Sequence, residues 1–228
     1  MFSVIFEVHP RIEQWDKYLG IATMLRPELE KVDGFVDNIR YRSLTRQGWI
    51  LSLSGWRDEK SVVRWRTHLR HHEAQESGRT QIFLDYHLRV GQVTKDTDIP
   101  EGFELHEQRL DETEVGEGTT VILINARLDS KRLENTDPEE VAEDLGLASK
   151  AEGLMNWDVF DAVLTPGDVI LLLSWRGHVQ AEAFENSILP QAGTRLRRVR
   201  VVRDYGMYDR REAPQYYADV PGAKTVHS

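Results

Sequence analysis

The stretch GWRDEKSVVRWRTHLRHHEAQESGR, residues 55–79, carries Trp56, Trp65, His68, His71 and His72 among dense charge. Several chemistries could use such a set. Imidazoles at His68 and His72, four apart on a helix, can bind zinc or another borderline metal. A third ligand would have to come from His9, His87, Asp85 or Glu7, and nothing in the sequence brings one to the pair, so no metal is expected. A heme needs a wide apolar pocket and one axial donor, which His68, His71 or His72 could supply. A pocket for a small organic substrate needs aromatic walls and a group that takes a proton. Trp56, Trp65 and Phe83 could form the walls. His68 or His72 could take the proton, because imidazole titrates in the useful range. Ser52 and Ser54 share a strand face with Trp56 and could hold a substrate oxygen. On one continuous helix Trp65, His68 and His72 share a face at i, i+3 and i+7. The plain alternative is core tryptophans and surface imidazoles.

The elements that must position these residues occur twice. DGFVDNIRYRSLTRQGWILSLSGWR (33–57) aligns without a gap against EGLMNWDVFDAVLTPGDVILLLSWR (152–176). Gly34 matches Gly153, Gly48 matches Gly167, and Trp56 matches Trp175. The chain therefore reads as a tandem duplication. One unit is expected over 1–96, an acidic linker over 97–117, a diverged second unit over 118–210, and a tail over 211–228. Each unit reads β-α-β-β-α-β. In the first, SVIFEV is a strand, and Ile12, Trp15, Leu19, Ala22, Leu25 and Leu29 recur at helical spacing. Pro27 is expected to bend or restart that helix. Phe35, Ile39 and Tyr41 share one strand face, Gly48 turns a hairpin, 55–79 gives the second helix, and TQIFLDYHLRVGQV closes the unit. The class is α+β, with two ferredoxin-like (βαββαβ) units. Each would leave one sheet face bare, so the two sheets should pack together as an internal pseudo-dimer, a barrel-type pair.

Composition narrows the function classes. The 228 residues are 40% hydrophobic with a net charge of -9, which supports a globular core and argues against a nucleic-acid partner. There is no cysteine, so thiolate sites and disulfides are out. The opening MFSVIFEVHP is too short and lacks the basic start of a signal peptide, and no apolar run reaches the ~20 residues of a membrane span. A cytoplasmic protein with a small-molecule partner and no membrane partner is expected, with room for further association of chains. RLRRVRVVR (195–203) could grip an anion, although a solvated basic face is the plainer reading. Asn125 is a weak candidate for a pocket polar group. No Gly-rich phosphate loop is present.

The βαββαβ order, the "DGF" after the first helix and the run LSLSGWRDEKSVVRW resemble the antibiotic biosynthesis monooxygenase family, whose fold is the dimeric α+β barrel. That resemblance places a Trp at the end of the third strand, matched by Trp56 and Trp175. Its heme-degrading branch carries a second Trp nine residues later, matched by Trp65 but replaced by Phe184 in the second unit. The branch's axial His would fall at Ala74 or Gln75, so that ligand does not transfer. The resemblance implies a cofactor-independent monooxygenase acting on a small aromatic molecule in the N-terminal cleft. His68, His72 and Trp65 would be catalytic; Trp56, Ser52, Ser54, Phe83 and His71 would bind substrate. A heme-binding or heme-degrading protein is the alternative, and a non-catalytic binding or structural module of this fold is the third reading.

Overall fold

The computed structural model describes residues 1–188 and 193–214. The first unit runs β1 (Phe2–Pro10), a 3-10 turn, α1 (Trp15–Leu29), β2 (Phe35–Ser43), β3 (Ile50–Trp56), α2 (Glu59–Arg66), α3 (Leu69–Ser77) and β4 (Phe83–Asp96). The second runs β5 (Thr120–Arg127), α4 (Ser130–Leu133), α5 (Pro138–Asp144), β6 (Leu154–Ala162), β7 (Asp168–Trp175), α6 (His178–Ser187) and β8 (Arg195–Gly206). Between β4 and β5 there is neither helix nor strand. No helix among the described residues is long and apolar enough to cross a membrane. Of the expected tail, residues 215–228 lie outside the described residues.

The aligned glycines explain why the two units fold alike. Gly34 and Gly153 both take positive φ, +86° and +82°, just before the second strand of their units. A Cβ on Gly34 would stand 2.1 Å from the Ser61 hydroxyl, and one on Gly153 would stand 2.4 Å from Gln180 Cγ. Both the conformation and the close approach of the following helix therefore demand glycine. That helix in the first unit, α2, is capped by Asp58, whose carboxylate accepts from the Ser61 backbone N–H at 2.8 Å. Burial works against that carboxylate's charge, but bonds from Ser61 and Arg57 hold its pKa down at about 2. In α1, Pro27 neither stops nor restarts the helix, which continues to Leu29. Proline there gives up the one bond its missing N–H would make, and only two helical residues follow it.

The eight strands close into one barrel in the order β1-β3-β2-β6-β7-β5-β8-β4. The sheets thus do more than face each other. Their outer strands also pair, β2 with β6 from Tyr41↔Ala162 to Ser43↔Phe160, and β4 with β8 from His87↔Gly206 to Asp96↔Arg197. Closure leaves no sheet edge to protect. Ile5, Tyr41, Leu51 and Leu53 of the first unit meet Leu123, Phe160, Leu172 and Val199 of the second inside the barrel. A buried ionic group lies beside this core. Arg89 donates to Glu7 at 2.5 Å and to the Ser174 hydroxyl at 2.6 Å, while Arg46 bridges Glu7 and Asp158 at 2.5 and 2.6 Å. Burial alone would raise the Glu7 pKa; the guanidinium groups of Arg89 and Arg46 outweigh it and hold the carboxyl below its ordinary value.

The helices cover the outside of the barrel. In the second unit this layer is filled: Val141, Ala142, Leu145 and Phe184 pack on Ile122, Val159, Leu171 and Trp175. In the first unit the equivalent layer holds a cavity.

Candidate functional site

The cavity measures about 210 Å³ and lies between the outer face of β2, β3, β1 and β4 and the helices α1–α3. Strand alternation decides what faces it. Ile5, Tyr41 and Leu53 point into the barrel, so their neighbours Phe6, Arg40 and Ser52 point to the helices. The register sets Arg40 beside Ser52, Ser52 beside Phe6, Phe6 beside Leu88, and Leu88 beside Tyr205. This row crosses five strands at ~4.8 Å per step. It has polar ends and an apolar middle. From above, Ile21, Ala22 and Leu25 of α1 close the space, with Trp65 of α2 and His71 of α3 beside them.

At the β2 end, the Arg40 guanidinium faces the Tyr18 phenol, and burial raises the pKa of that phenol despite the nearby positive charge. The Arg40 Nε–H is buried and has no hydrogen-bond partner. Asn38 donates to the Ser52 hydroxyl at 3.0 Å, and the indole N–H of Trp56 donates to the Ser54 hydroxyl at 2.9 Å. Each serine oxygen is thereby engaged as an acceptor, and its own proton remains available. At the β4 end, Tyr86 receives hydrogen bonds from Arg79 Nη1 at 3.0 Å and Arg210 Nη1 at 2.5 Å. Arg210 and Tyr205 belong to the second unit, which therefore supplies part of the wall of the first unit's cavity.

Of the residues singled out from sequence, Ser52, Ser54, Trp65, His71 and Phe83 line the cavity. Trp56 does not: it is 1% exposed and packs among Phe2, Leu29, Val62 and Val202. His68 and His72 do not line it either. The expected single helix is broken at Thr67–His68, where His68 is extended (φ -63°, ψ 129°) and caps α3. The i, i+3, i+7 face of Trp65, His68 and His72 therefore never forms, and α3 turns His71 to the cavity instead. The Thr67 hydroxyl donates back to the Val63 carbonyl at 2.9 Å, a bond that competes with helix continuation.

His71 stacks on Trp65 with ring centroids 4.4 Å apart, and its Nδ1 lies 2.9 Å from the Trp65 carbonyl oxygen. A carbonyl only accepts, so Nδ1 carries the proton and Nε2 is the acceptor. Burial pushes the His71 pKa down to about 4. At neutral pH the ring is an uncharged hydrogen-bonding group rather than a base that titrates near 7.

The metal and heme possibilities meet the same geometry. No group of three or more His, Asp or Glu among the described residues is placed to hold a metal ion. A heme does not fit the cavity. A porphyrin needs a wider space than this cavity of about 210 Å³ offers, and His71 is the one histidine among the described residues on its wall. Four of the five arginines in the β8 run have side-chain partners. Arg195 pairs with Asp96 at 2.7 Å, Arg198 with Glu185 at 3.4 Å and Arg200 with Glu107 at 2.8 Å. Arg197 donates to Asn125 at 2.7 Å, away from the cavity.

The family model described as "Antibiotic biosynthesis monooxygenase" matches residues 1–77. A Pyricularia oryzae protein, "Jasmonate monooxygenase ABM", is 50% identical over 224 residues, covering 95% of this chain and 98% of that one. Among solved structures, an anthrone oxidase-like protein is 13% identical with a TM-score of 0.37, over 94% of this chain and 96% of that one. A Listeria monocytogenes ferredoxin-fold protein related to antibiotic biosynthesis monooxygenases is 9% identical with a TM-score of 0.29, over 88% and 94%.

Proposed function

The chain belongs to the antibiotic biosynthesis monooxygenase family, and from that premise we propose that its N-terminal cleft oxygenates a small amphipathic carboxylic acid of the jasmonate type, without a cofactor. The observation that carries the reading is the cavity's polarity. An apolar middle of Val4, Phe6 and Leu88 separates Arg40 at one end from Tyr86 at the other. A jasmonate combines a carboxylate, a ring ketone and an apolar chain. The carboxylate would pair with Arg40, whose Nε–H lacks a partner, in a charge-assisted hydrogen bond. The ring and chain would lie on the apolar residues. The aromatic substrate expected from the resemblance could use the same walls, but a neutral one would leave Arg40 without a counter-ion. The relative's name adds support for the acid.

In this reading the cleft orients the substrate and excludes water; one atom of O2 enters the product, and the other leaves as water with two hydrogens given up by the substrate, so that a CH2 becomes a C=O. Trp65 and His71 form one wall, with His71 Nε2 as a hydrogen-bond acceptor. Ser52 and Ser54 offer hydroxyl protons to substrate oxygens. The second unit contributes Tyr205 and Arg210, and its own helix layer is filled by Val141, Ala142, Leu145 and Phe184.

The test is oxygen uptake with jasmonate under labelled O2, with a product that has gained one labelled oxygen atom and lost two hydrogens. Ala22→Phe fills the cavity from α1 and should abolish both without unfolding the chain. A folded Ala22→Phe variant with wild-type turnover would place the reaction elsewhere and overturn the reading.

A further inference from the structure

We infer that the Tyr86 hydroxyl is a dedicated hydrogen-bond donor for a carbonyl oxygen of the molecule bound in the cleft. The inference rests on the proposed function and adds the group that recognises the ketone.

It follows from counting the hydroxyl's bonding positions. A hydroxyl has one proton to give and lone pairs that can accept two bonds. Arg79 Nη1 lies 3.0 Å and Arg210 Nη1 2.5 Å from the Tyr86 oxygen. Guanidinium groups only donate, so the direction of both bonds is fixed. The oxygen's accepting positions are filled, and its proton is what remains. No described residue accepts that proton, and Tyr86 lies on the cavity wall.

The surroundings hold this arrangement in place. Tyr86 is 6% exposed, with Phe6 and Phe83 at ring-centroid distances of 5.7 and 6.3 Å. Arg79 is itself buried and anchored by a second bond from Nη1 to the Met207 carbonyl at 3.1 Å. The Arg210 guanidinium sits 5.6 Å from the Tyr205 ring centroid. With two cationic donors on its oxygen, the O–H cannot turn round to accept from a ligand. Chains of hydrogen bonds polarise one another, so its own donation is strengthened. The ligand atom that fits is an acceptor only: a ketone oxygen, or the oxyanion that forms when such a ketone becomes electron-rich. An alcohol in place of the ketone would give up much of this, since its oxygen is a weaker acceptor for the same donor.

The infrared carbonyl stretch of bound jasmonate reads this contact directly. In the wild type it should move to lower frequency than in Tyr86→Phe, and Tyr86→Phe should lower kcat by about 10²–10³-fold with little change in KM. Arg210→Met keeps the phenol and removes one of its donors, and should reduce the shift without abolishing it. If jasmonate binds and Tyr86→Phe changes neither stretch nor rate, the inference fails while the proposed function stands. If jasmonate does not bind the wild type, both fail together.

Discussion

His71 lies flat on Trp65, 4.4 Å between ring centroids, and bonds through Nδ1 to the carbonyl of that same residue. One tryptophan thus fixes the ring plane and the tautomer of the one histidine that lines the cavity among the described residues, while burial keeps that ring uncharged.

That histidine should leave a mark on acid stability. Its pKa falls from an ordinary 6.5 to about 4 in the folded chain. Between those values the unfolded chain binds the proton and the folded chain does not. The stabilisation is therefore complete above pH 6.5 and is lost as pH falls toward 4, by at most about 3 kcal/mol. Denaturation midpoints of His71→Gln should decline less steeply over that window than those of the wild type. Equal slopes would mean that His71 is not held neutral. Glu7, whose pKa is lowered, contributes its own loss at lower pH in both proteins.

Arg40 should set the preference for acids. A hydrogen bond to a charged group contributes about 1.5–3 kcal/mol, so the wild type should bind jasmonate about 10- to 100-fold more tightly than its methyl ester. Arg40→Met should bind the two alike, and Arg40→Lys should keep part of the difference. Calorimetric titration of acid and ester separates these outcomes.

The two tryptophans of the first unit should part company. Trp56 is 1% exposed in the core, so Trp56→Ala should cost about 3–5 kcal/mol in chemical denaturation. Trp65 borders empty space, and Trp65→Ala should cost roughly 1 kcal/mol while weakening ligand binding. A Trp65 variant as unstable as the Trp56 variant would contradict the open cavity beside it.

The ionic group at the barrel gives a double-mutant test. Arg89 and Glu7 are 3% and 4% exposed. Removing either partner leaves a buried charge uncompensated and should cost about 3–5 kcal/mol. Arg89→Met together with Glu7→Gln should cost less than the sum of the two single changes. Additive costs would mean that the pair is not coupled.

Hemin offers the final check. At micromolar concentration it should give no Soret band with this protein, because a cavity of about 210 Å³ is too narrow for a porphyrin. A sharp band lost in His71→Ala would reverse that conclusion.

Much of the fold was legible because it is local. Alternating strands, helical spacing and the glycine pairs Gly34/Gly153 and Gly48/Gly167 each follow from backbone geometry within a few residues. Closure of the barrel depends on β2 meeting β6 and β4 meeting β8, which no short-range pattern encodes. The helix break at Thr67–His68 has no Gly or Pro to announce it, so one continuous helix favours His68 and His72 as the catalytic pair and leaves His71 as a substrate contact. Arg40, Tyr86, Arg79 and Arg210 come from distant segments and share no spacing. A signal did exist. Asn38, Arg40, Ser52 and Ser54 occupy the strand face that lies under helices, where an ordinary packed layer would be apolar. At the matching positions in β7, Leu171 and Leu173 fill that layer.

Closure of the barrel within a single chain has an evolutionary consequence. In a pair of identical subunits every substitution appears twice, and both clefts must tolerate it. Here the halves are joined by the peptide chain and can drift apart. One has given up its hollow for solid packing and sends an arginine across to its sibling. In a chain of this design the two halves answer to separate selective demands.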